Sequence, residues 1–574
     1  MNKSYWSHRS VVPINHDEIT IPANNGKSFS SDNHNHILID IPKNVPFFLG
    51  ADSYLRFRIK LEMVATTAVA GNVATSSFCQ LIPELGANSI IKSLRIRNSQ
   101  GVILEEINNY NCLKLLMNQY DLSEDRENLR SITEGVVLHD FRTRVNDKTT
   151  RYINKSSAGN TATNPYFETK SDGTTAQKDV DICLPLNASG ILGNADKVCP
   201  NALIGVRIEI ELEEGYKCIR ASRIAFEDPN YNPKISFGRT TAVPPVVGAV
   251  GDGLPVGGGG GNSYDRIYIS NTEMNMTQIE HNAFKVGEFL KTTMDNGTDE
   301  IIGQIKSIGM GSSIAGGDNF IYYELEAPYT PTNDVTIDPM LFSNNLQNDG
   351  LQTLNLRYDI TNLEYVIKRI EVQKEYLDQM TEALRSAGQI NYEFNSFSNY
   401  TRNVLATEVN STMNLPLQNN RARSLLLVGT IMNSSQYENL IDFLDPDVGY
   451  NHFSGVNKVN SYQLSYENRL HPQRVVSLLK NTTKKSFPQV GLHELSKALV
   501  QANIAPNSMI NFKNNMIIGR SFSTSSGFYN TIGKDTQINI DFSGIAGQTN
   551  KLYQIFCAHI RRIVINNSGI SVVV

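Results

Sequence analysis

The segment Asp181 to Glu213, DICLPLNASGILGNADKVCPNALIGVRIEIELE, limits the possible folds more than any other part of the chain. Its second half alternates Val206, Ile208, Ile210 and Leu212 with Arg207, Glu209, Glu211 and Glu213. A period of two places one face of a strand on a core and the other in water. Its first half is an apolar run that contains Pro185, which cannot donate to a ladder, so that strand is an edge or stops there. Two buried strands joined by a loop of small residues, with no catalytic-looking group among them, describe a building block.

The same period recurs. LRFRIKLEM (Leu55 to Met63) turns Leu55, Phe57, Ile59 and Leu61 inward and Arg56, Arg58, Lys60 and Glu62 outward, and HILIDI (His36 to Ile41) and IIKSLRIR (Ile90 to Arg97) read alike. EYVIKRIEV (Glu364 to Val372), RSLLLVG (Arg423 to Gly429) and TQINIDF (Thr536 to Phe542) follow. HIRRIVI and ISVVV flank Asn566, Asn567, Ser568 and Gly569, a turn composition that predicts a terminal hairpin.

Helices are few and short. LEEINNYNCLKLLMNQY (Leu104 to Tyr120) spaces Ile107, Tyr110, Leu113 and Met117 as one helical face, and EYLDQMTEALRSAG ends at Gly388, a suitable C′ residue. SSQYENLIDFLDP has a capping box, Ser435 to Glu438, and stops before Pro446; LHELSKALVQANI repeats Leu492, Leu495 and Leu499. β-Sandwiches with helices in their connections fit this mixture better than a doubly wound α/β fold, which needs regular strand–helix alternation.

At 574 residues the chain exceeds one core and suggests about two to four domains. Apolar content of 40% and charged content of 19% are ordinary for folded proteins. A net charge of −5 without any basic block argues against a nucleic-acid binder that works by phosphate neutralisation. The first thirty residues lack the apolar core of a signal peptide and no span is long enough for a membrane helix, so synthesis in the cytoplasm or nucleus is expected. Six scattered cysteines without a CxxC pair read as buried reduced thiols, and the Asn-x-Ser/Thr sequons of a chain rich in these residues carry no weight without secretion.

Three stretches read as elaborated loops. Asn146 to Asp179 is polar and without period, AVPPVVGAVGDGLPVGGGGGN (Ala242 to Asn262) is flexible and almost uncharged, and the region from there to Asp359 contains HNAFKVGEFLKTT, DEIIGQIKSIGM and NFIYYELEAP, short strands split by glycine. That third region is either a small inserted barrel or irregular extra strands.

Candidate chemistry is weak throughout. His34 and His36 stand one residue apart with no third ligand nearby, more typical of solvated loop histidines than of a metal site. Gly309 to Gly317, GMGSSIAGG, lacks the lysine and following helix of a phosphate loop and reads as a flexible turn. No GxSxG occurs, and His139 or His281 near serines and aspartates makes no triad. Glu105 with Glu106, Glu213 with Glu214 and Asp445 with Asp447 sit at a helix start, an outward strand end and a turn, where solvation or a helix dipole accounts for them. The single Trp6 speaks against a carbohydrate platform, although 24 tyrosines leave that route open. We therefore expect no catalytic, cofactor-binding or metal residues and no enzyme activity.

Taken together, these segments resemble the major capsid proteins that carry two jelly rolls in one chain, found in large DNA viruses, virophages, Polinton-type elements and adenovirus-like lineages. LPL at Leu184 to Leu186, the loop ending near Pro200 and GVRIEIELE look like late strands of the first roll. YDITNLEYVIKRIEVQKEYLDQM (Tyr358 to Met380) looks like its closing strand and the helix leading onward. NLPLQNNRARSLLLVGT (Asn414 to Thr430) resembles an early strand pair of the second roll, and LYQIFCAHIRRIVINNSGISVVV its end. Glu84 to Tyr120, a strand, a glycine turn and a Glu-Glu-Ile helix, is similar to the Polinton and virophage branch. The long gap between GVRIEIELE and YDITNLEYV departs from a compact roll and is explained by an insertion, with the glycine run as its tether.

The resemblance implies an all-β fold: two jelly-roll β-sandwiches in one chain, with short helices in connecting loops and an inserted β-rich segment. The expected divisions are an N-terminal arm at 1–30, a first roll at 31–388 with the tether and insertion at about 242–350, and a second roll at 389–574. It further implies a homotrimer of pseudo-hexagonal outline tiling an icosahedral virion shell, a penton protein and minor capsid proteins as partners, and no sequence-specific nucleic-acid binding. From another class, a carbohydrate-binding or carbohydrate-active multi-sandwich protein is the alternative, and a single-roll capsid or spike protein of an RNA virus is a third reading that the missing basic arm disfavours.

Overall fold

A computed structural model describes residues 13–65, 78–82, 85–121, 129–130, 132–136, 175–222, 235–238, 264–270, 289–293, 299–312, 319–330, 342–343, 354–431, 459–467, 469–478, 489–504, 517–522, 528–543, 550–566 and 569–574. In chain order the first strands are β1 (Pro13–Pro22), β2 (Ser28–Ser30), β3 (His36–Asp40), β4 (Phe47–Ala65), β5 (Phe78–Leu81), β6 (Ile91–Arg97) and β7 (Ile103–Asn108). Helix α1 (Tyr110–Asp121) precedes β8 (Thr175–Leu184) and β9 (Arg207–Leu212). Strands β10 (Ile219–Ser222), β11 (Ile235–Gly238), β12 (Tyr264–Ser270), β13 (Phe289–Thr293), β14 (Asp299–Ser312), β15 (Asn319–Tyr329) and β16 (Phe342–Ser343) lead to the long β17 (Leu354–Val372).

Set aside β2, β5 and the run from β10 to β16, and eight strands remain. Counted in order, the first, eighth, third and sixth form one sheet, β1-β17-β4-β8, and the second, seventh, fourth and fifth form the other, β3-β9-β6-β7. Two four-stranded antiparallel sheets interleaved in this way are a jelly roll.

After α2 (Lys374–Ala387) come β18 (Gln389–Val404), β19 (Asn410–Asn414), β20 (Ala422–Ile431), β21 (Ser461–Tyr466), β22 (Arg469–Ser477), helix α3 (Gln489–Gln501), β23 (Ile518–Ser521), β24 (Thr536–Asp541), β25 (Lys551–Asn566) and β26 (Gly569–Val573). Their sheets, β18-β25-β20-β23 and β19-β24-β21-β22, repeat the same order of first, eighth, third, sixth and second, seventh, fourth, fifth. The chain therefore contains two jelly rolls. In both, the main helix of the roll, α1 or α3, lies in the connection between the fifth and sixth strands.

The period-two reading accounts for both cores. Leu55, Phe57, Ile59 and Leu61 of β4 and Ile208, Ile210 and Leu212 of β9 are buried, while Arg56, Arg58 and Arg207 stay exposed. On the outer face of the first sheet the charges pair across strands, Arg56 with Glu364 at 2.5 Å and Arg58 with Asp181 at 2.9 Å. Such solvated pairs contribute at most about 1 kcal/mol each, so burial carries the stability. β8 stops at Leu184, before Pro185, and pairs only with β4, as the proline requires. Gly388 closes α2 at φ +70°, where a side chain would be strained. β25 and β26 pair from Asn566↔Gly569 onward as the expected hairpin.

Three expectations need correction. Pro13–Pro22, assigned to an arm, pairs with β17 from Pro13↔Val372 to Pro22↔Glu364 and is a strand of the first roll. Its prolines at both ends and its polar centre hid an edge strand, which has no partner on one side among the described residues. Leu104 to Asn108, the start of the expected helix with Ile107 on its face, belong instead to the strand Ile103–Asn108, paired to β6 through Leu94↔Ile107 and Arg95↔Glu106. The helix begins only at Tyr110, after Asn109 turns the backbone at φ +51°. Gly309–Ser312 is not a turn: Gly309↔Tyr322 and Gly311↔Phe320 pair β14 with β15.

The insertion lies between the seventh and eighth strands of the first roll. It forms a sheet of order β11-β12-β15-β14-β13-β16, whose end strands do not pair with each other among the described residues, and β10 pairs with β5. The glycine run, most of Asn146 to Asp179 and the Ser435–Glu438 capping box lie outside the described residues. Thr175 to Asp179 belongs to β8.

Candidate functional site at the junction of the rolls

A single buried carboxylate joins the two rolls. Glu105 sits on β7, opposite Ile96 and on the same face as Ile107, and is fully buried. Its carboxylate accepts hydrogen bonds from Ser189 Oγ at 2.5 Å, the backbone N–H of Gly190 at 2.8 Å and that of Ile191 at 3.3 Å, all in the first roll's β8–β9 loop. A fourth comes from Ser396 Oγ of β18, in the second roll, at 2.9 Å. Ser189 Oγ in turn accepts the N–H groups of Ile191 and Leu192, which fixes the loop. Burial pushes the Glu105 carboxyl above the usual range, and the four donors pull it back. A hydrogen bond to a charged acceptor contributes about 1.5–3 kcal/mol, so four of them offset a desolvation penalty that one could not.

Around this carboxylate the contact is continuous. Arg561 of β25 donates to the carbonyl of Ile103 at 3.4 Å; burial lowers its pKa, while Glu105 and Glu106 oppose the shift. Lys197 Nζ donates to the Glu393 carbonyl of β18 at 2.5 Å. Asn109 donates to Asn399 Oδ1 at 2.9 Å and Gln554 Oε1 at 3.0 Å, and Asn399 donates to the same Gln554 oxygen at 3.1 Å. The apolar residues of both rolls belong to one core cluster, to which Tyr376 of α2 is added, its ring edge-on to Phe47.

The closest approach is at Gly190. A Cβ there would lie 1.7 Å from the Asn395 carbonyl oxygen and 2.6 Å from the Phe394 ring. Only glycine lets the loop touch β18, so the small-residue loop that reads as a spacer is the point of docking.

This arrangement holds the two rolls together. Adjacent strand residues face opposite ways, so Glu105 and Glu106 cannot act as a carboxylate pair: Glu106 lies on the other face, bound by Arg95. Glu213, expected to point outward, is buried instead, where it accepts from Asn111 Nδ2 at 3.0 Å, and Lys217 lies 3.1 Å from Glu214. His34 lies tilted against Phe29 with ring centroids 4.7 Å apart and its ring nitrogens lie within hydrogen-bond distance of Asn25 and the Ser28 carbonyl, while His36 opens β3. Among the described residues no three His, Cys, Asp or Glu side chains form a group that could hold a metal. Cys112, Cys199, Cys218 and Cys557 are buried thiols and Cys183 is partly exposed. Trp6, His139, His281, Asp445 and Asp447 lie outside the described residues. No described helix is long and apolar enough to cross a membrane.

Sequence reasoning missed Glu105, Ser189, Gly190 and Ser396. The available signal was Glu105 inside the apolar run Ile103, Leu104, Ile107, where an unexplained charge marks a buried partner set.

No family model and no curated protein matches this sequence. Among solved structures the chain is similar to the Faustovirus major capsid protein, at 9% identity and a TM-score of 0.49, covering 96% of this chain and 90% of that one. It is similar to a chain from the structure of the Sputnik virophage at 12% identity and 0.42, covering 100% and 91%. Similarity to the mavirus major capsid protein is at 10% identity and 0.37, covering 97% and 89%.

Proposed function

We propose that this chain is a structural major capsid protein, three copies of which form a capsomer of pseudo-hexagonal outline that tiles an icosahedral virion shell. The observation that carries the reading is the repeated strand order: two jelly rolls of one topology, joined by a buried junction that holds them in a fixed relation. Two equivalent wedges per chain and three chains give six similar wedges, so one gene product fills a hexagonal lattice site. The sequence resemblance supports the same assignment. In this reading the first roll ends at Gly388, the second runs from 389 to 574, and the arm shrinks to the residues before Pro13.

A shell of such capsomers needs a different, penton protein at its fivefold vertices, and minor capsid proteins between capsomers. The protein would be made in the host cytoplasm or nucleus and reside in the virion, without catalytic activity. The carbohydrate-active reading gains nothing from the paired carboxylates, since Glu105 and Glu106 face apart.

Native mass spectrometry of the purified chain tests the proposal. The expected species is three times the 63.9 kDa chain. A stable monomer under all solution conditions overturns it.

A further inference from the structure

The two rolls match charge differently on equivalent sheets. In β1-β17-β4-β8, Arg56, Arg58 and Arg369 each have a carboxylate of their own, from Glu364, Asp181 and Asp17. In β18-β25-β20-β23, Glu393 stands opposite Arg562, and one of its oxygens, Oε1, accepts from both Arg562 Nε at 2.7 Å and Arg421 Nη1 at 3.0 Å. Arg423 pairs with no carboxylate among the described residues. Its Nη1 donates to Asn395 Oδ1 at 2.8 Å, and its Nε is buried without a partner. Burial lowers its pKa, and no acid opposes that shift.

These cations are gathered in one place. Arg421 and Arg423 lie over the same ring, that of Phe528, with their guanidinium carbons 5.6 and 5.9 Å from its centroid. From the first roll Lys197 reaches the Glu393 carbonyl at 2.5 Å, and Glu393 and Asp196 are the acids that act on it. Four cations therefore stand beside two carboxylates, an excess of two positive charges. Like charges crowded at a half-buried place cost stability, and a bound anion removes that cost. Arg421 and Arg562 keep 34% and 28% of their side-chain surface exposed, so a solute can reach the cluster.

The excess selects the anion. A carboxylate would match only one of the two charges, whereas a phosphate monoester carries about −1.5 to −2 at pH 7. Planar guanidinium forks also fit phosphate oxygens in pairs. We propose that Arg421, Arg423 and Arg562, gathered around Phe528 and Glu393, form a binding site for one phosphate monoester, either a soluble one or a lipid headgroup.

Titration calorimetry of the full chain with glycerol 3-phosphate, against glycerol and against chloride at matched ionic strength, tests the site. Saturable binding of the phosphate alone is expected. R423M keeps an apolar stem against Phe528 and should bind about 10- to 100-fold more weakly, the worth of a hydrogen bond to a charged group. Without phosphate it should melt no lower than the wild type, because the charge it removes has no partner. E393Q, which frees Arg421 and Arg562, should bind about 10-fold more tightly. R58M, at a paired guanidinium on the equivalent sheet, should bind like the wild type. Flotation with phosphatidylcholine vesicles that contain phosphatidic acid, and not with phosphatidylcholine alone, assigns the site to a lipid headgroup; calorimetric binding without flotation assigns it to a soluble monoester. A wild type that binds glycerol 3-phosphate no better than chloride overturns the proposal. So does an R423M chain that binds as tightly as the wild type, or one that melts well below it without phosphate, since Arg423 would then be a structural residue.

Discussion

Replacing Gly190 by alanine tests the junction at its tightest point. The new methyl carbon would lie 1.7 Å from the Asn395 oxygen, against an ordinary contact of at least 3.4 Å, and 2.6 Å from the Phe394 ring. Loop and strand must therefore separate by about 1.7 Å, the difference between those two distances. β18 cannot yield easily, because it pairs with β25 without a register shift from Gln389↔Asn566 to Val404↔Lys551. The loop must move instead. Doing so lengthens the 2.8 Å bond from Gly190 N–H to Glu105 and the 3.3 Å bond from Ile191, leaving the half-buried Gly190 donor without its acceptor while Ile191 keeps Ser189 Oγ. Overpacking costs about 1–3 kcal/mol and the orphaned Gly190 donor about 1–3 kcal/mol, so a loss of about 2–6 kcal/mol is expected. Urea unfolding followed by fluorescence, with amide exchange read on the loop and β18, measures it. D196N, on an exposed part of the same loop, serves as control and should stay within about 0.5 kcal/mol. A G190A protein that unfolds and exchanges like the control would refute the close docking of the rolls.

Three other perturbations have defined outcomes. E105A strands four donors and should destabilise by about 3–5 kcal/mol in urea unfolding, whereas E105Q, which keeps the shape and one acceptor oxygen, should cost less. Because the folded Glu105 carboxyl is raised, its folded state binds the proton more tightly; its contribution is greatest below the usual carboxylate range and falls as pH rises through the raised value, so the E105Q penalty should shrink at high pH. His559 behaves in the opposite sense: burial lowers its pKa from 6.5 to about 4, so its neutral form stabilises the fold above pH 6.5 and that stability is lost as pH falls toward 4. The shift corresponds to about 3 kcal/mol, and H559Q should flatten the pH profile of unfolding over that window; an unchanged slope would count against a buried neutral imidazole. G388V forces a β-branched residue into φ +70° and should lower stability by about 1–2 kcal/mol, read as a shifted denaturation midpoint.

Much of the fold was legible because burial on one face of a strand writes itself as alternation. Ile208, Ile210 and Leu212, or Leu55 to Leu61, could be assigned to an inner face without any partner being known. Edges and joints were harder. β1 hides its role because an edge strand tolerates proline and polar residues, and the β7–α1 joint at Asn109 places Ile107 before and Tyr110 after the break at a spacing that imitates one continuous helix. The junction could not be read locally at all. Ser396 lies 291 residues from Glu105, and Gly190 differs from any loop glycine only by what stands 1.7 Å from its missing Cβ.

The central claim is that two equivalent rolls per chain become six equivalent wedges per capsomer. Electron microscopy of the purified assembly viewed along its symmetry axis tests this most directly. A threefold particle with six roll-shaped lobes is expected. A particle with another number of lobes, or one without threefold symmetry, would contradict it.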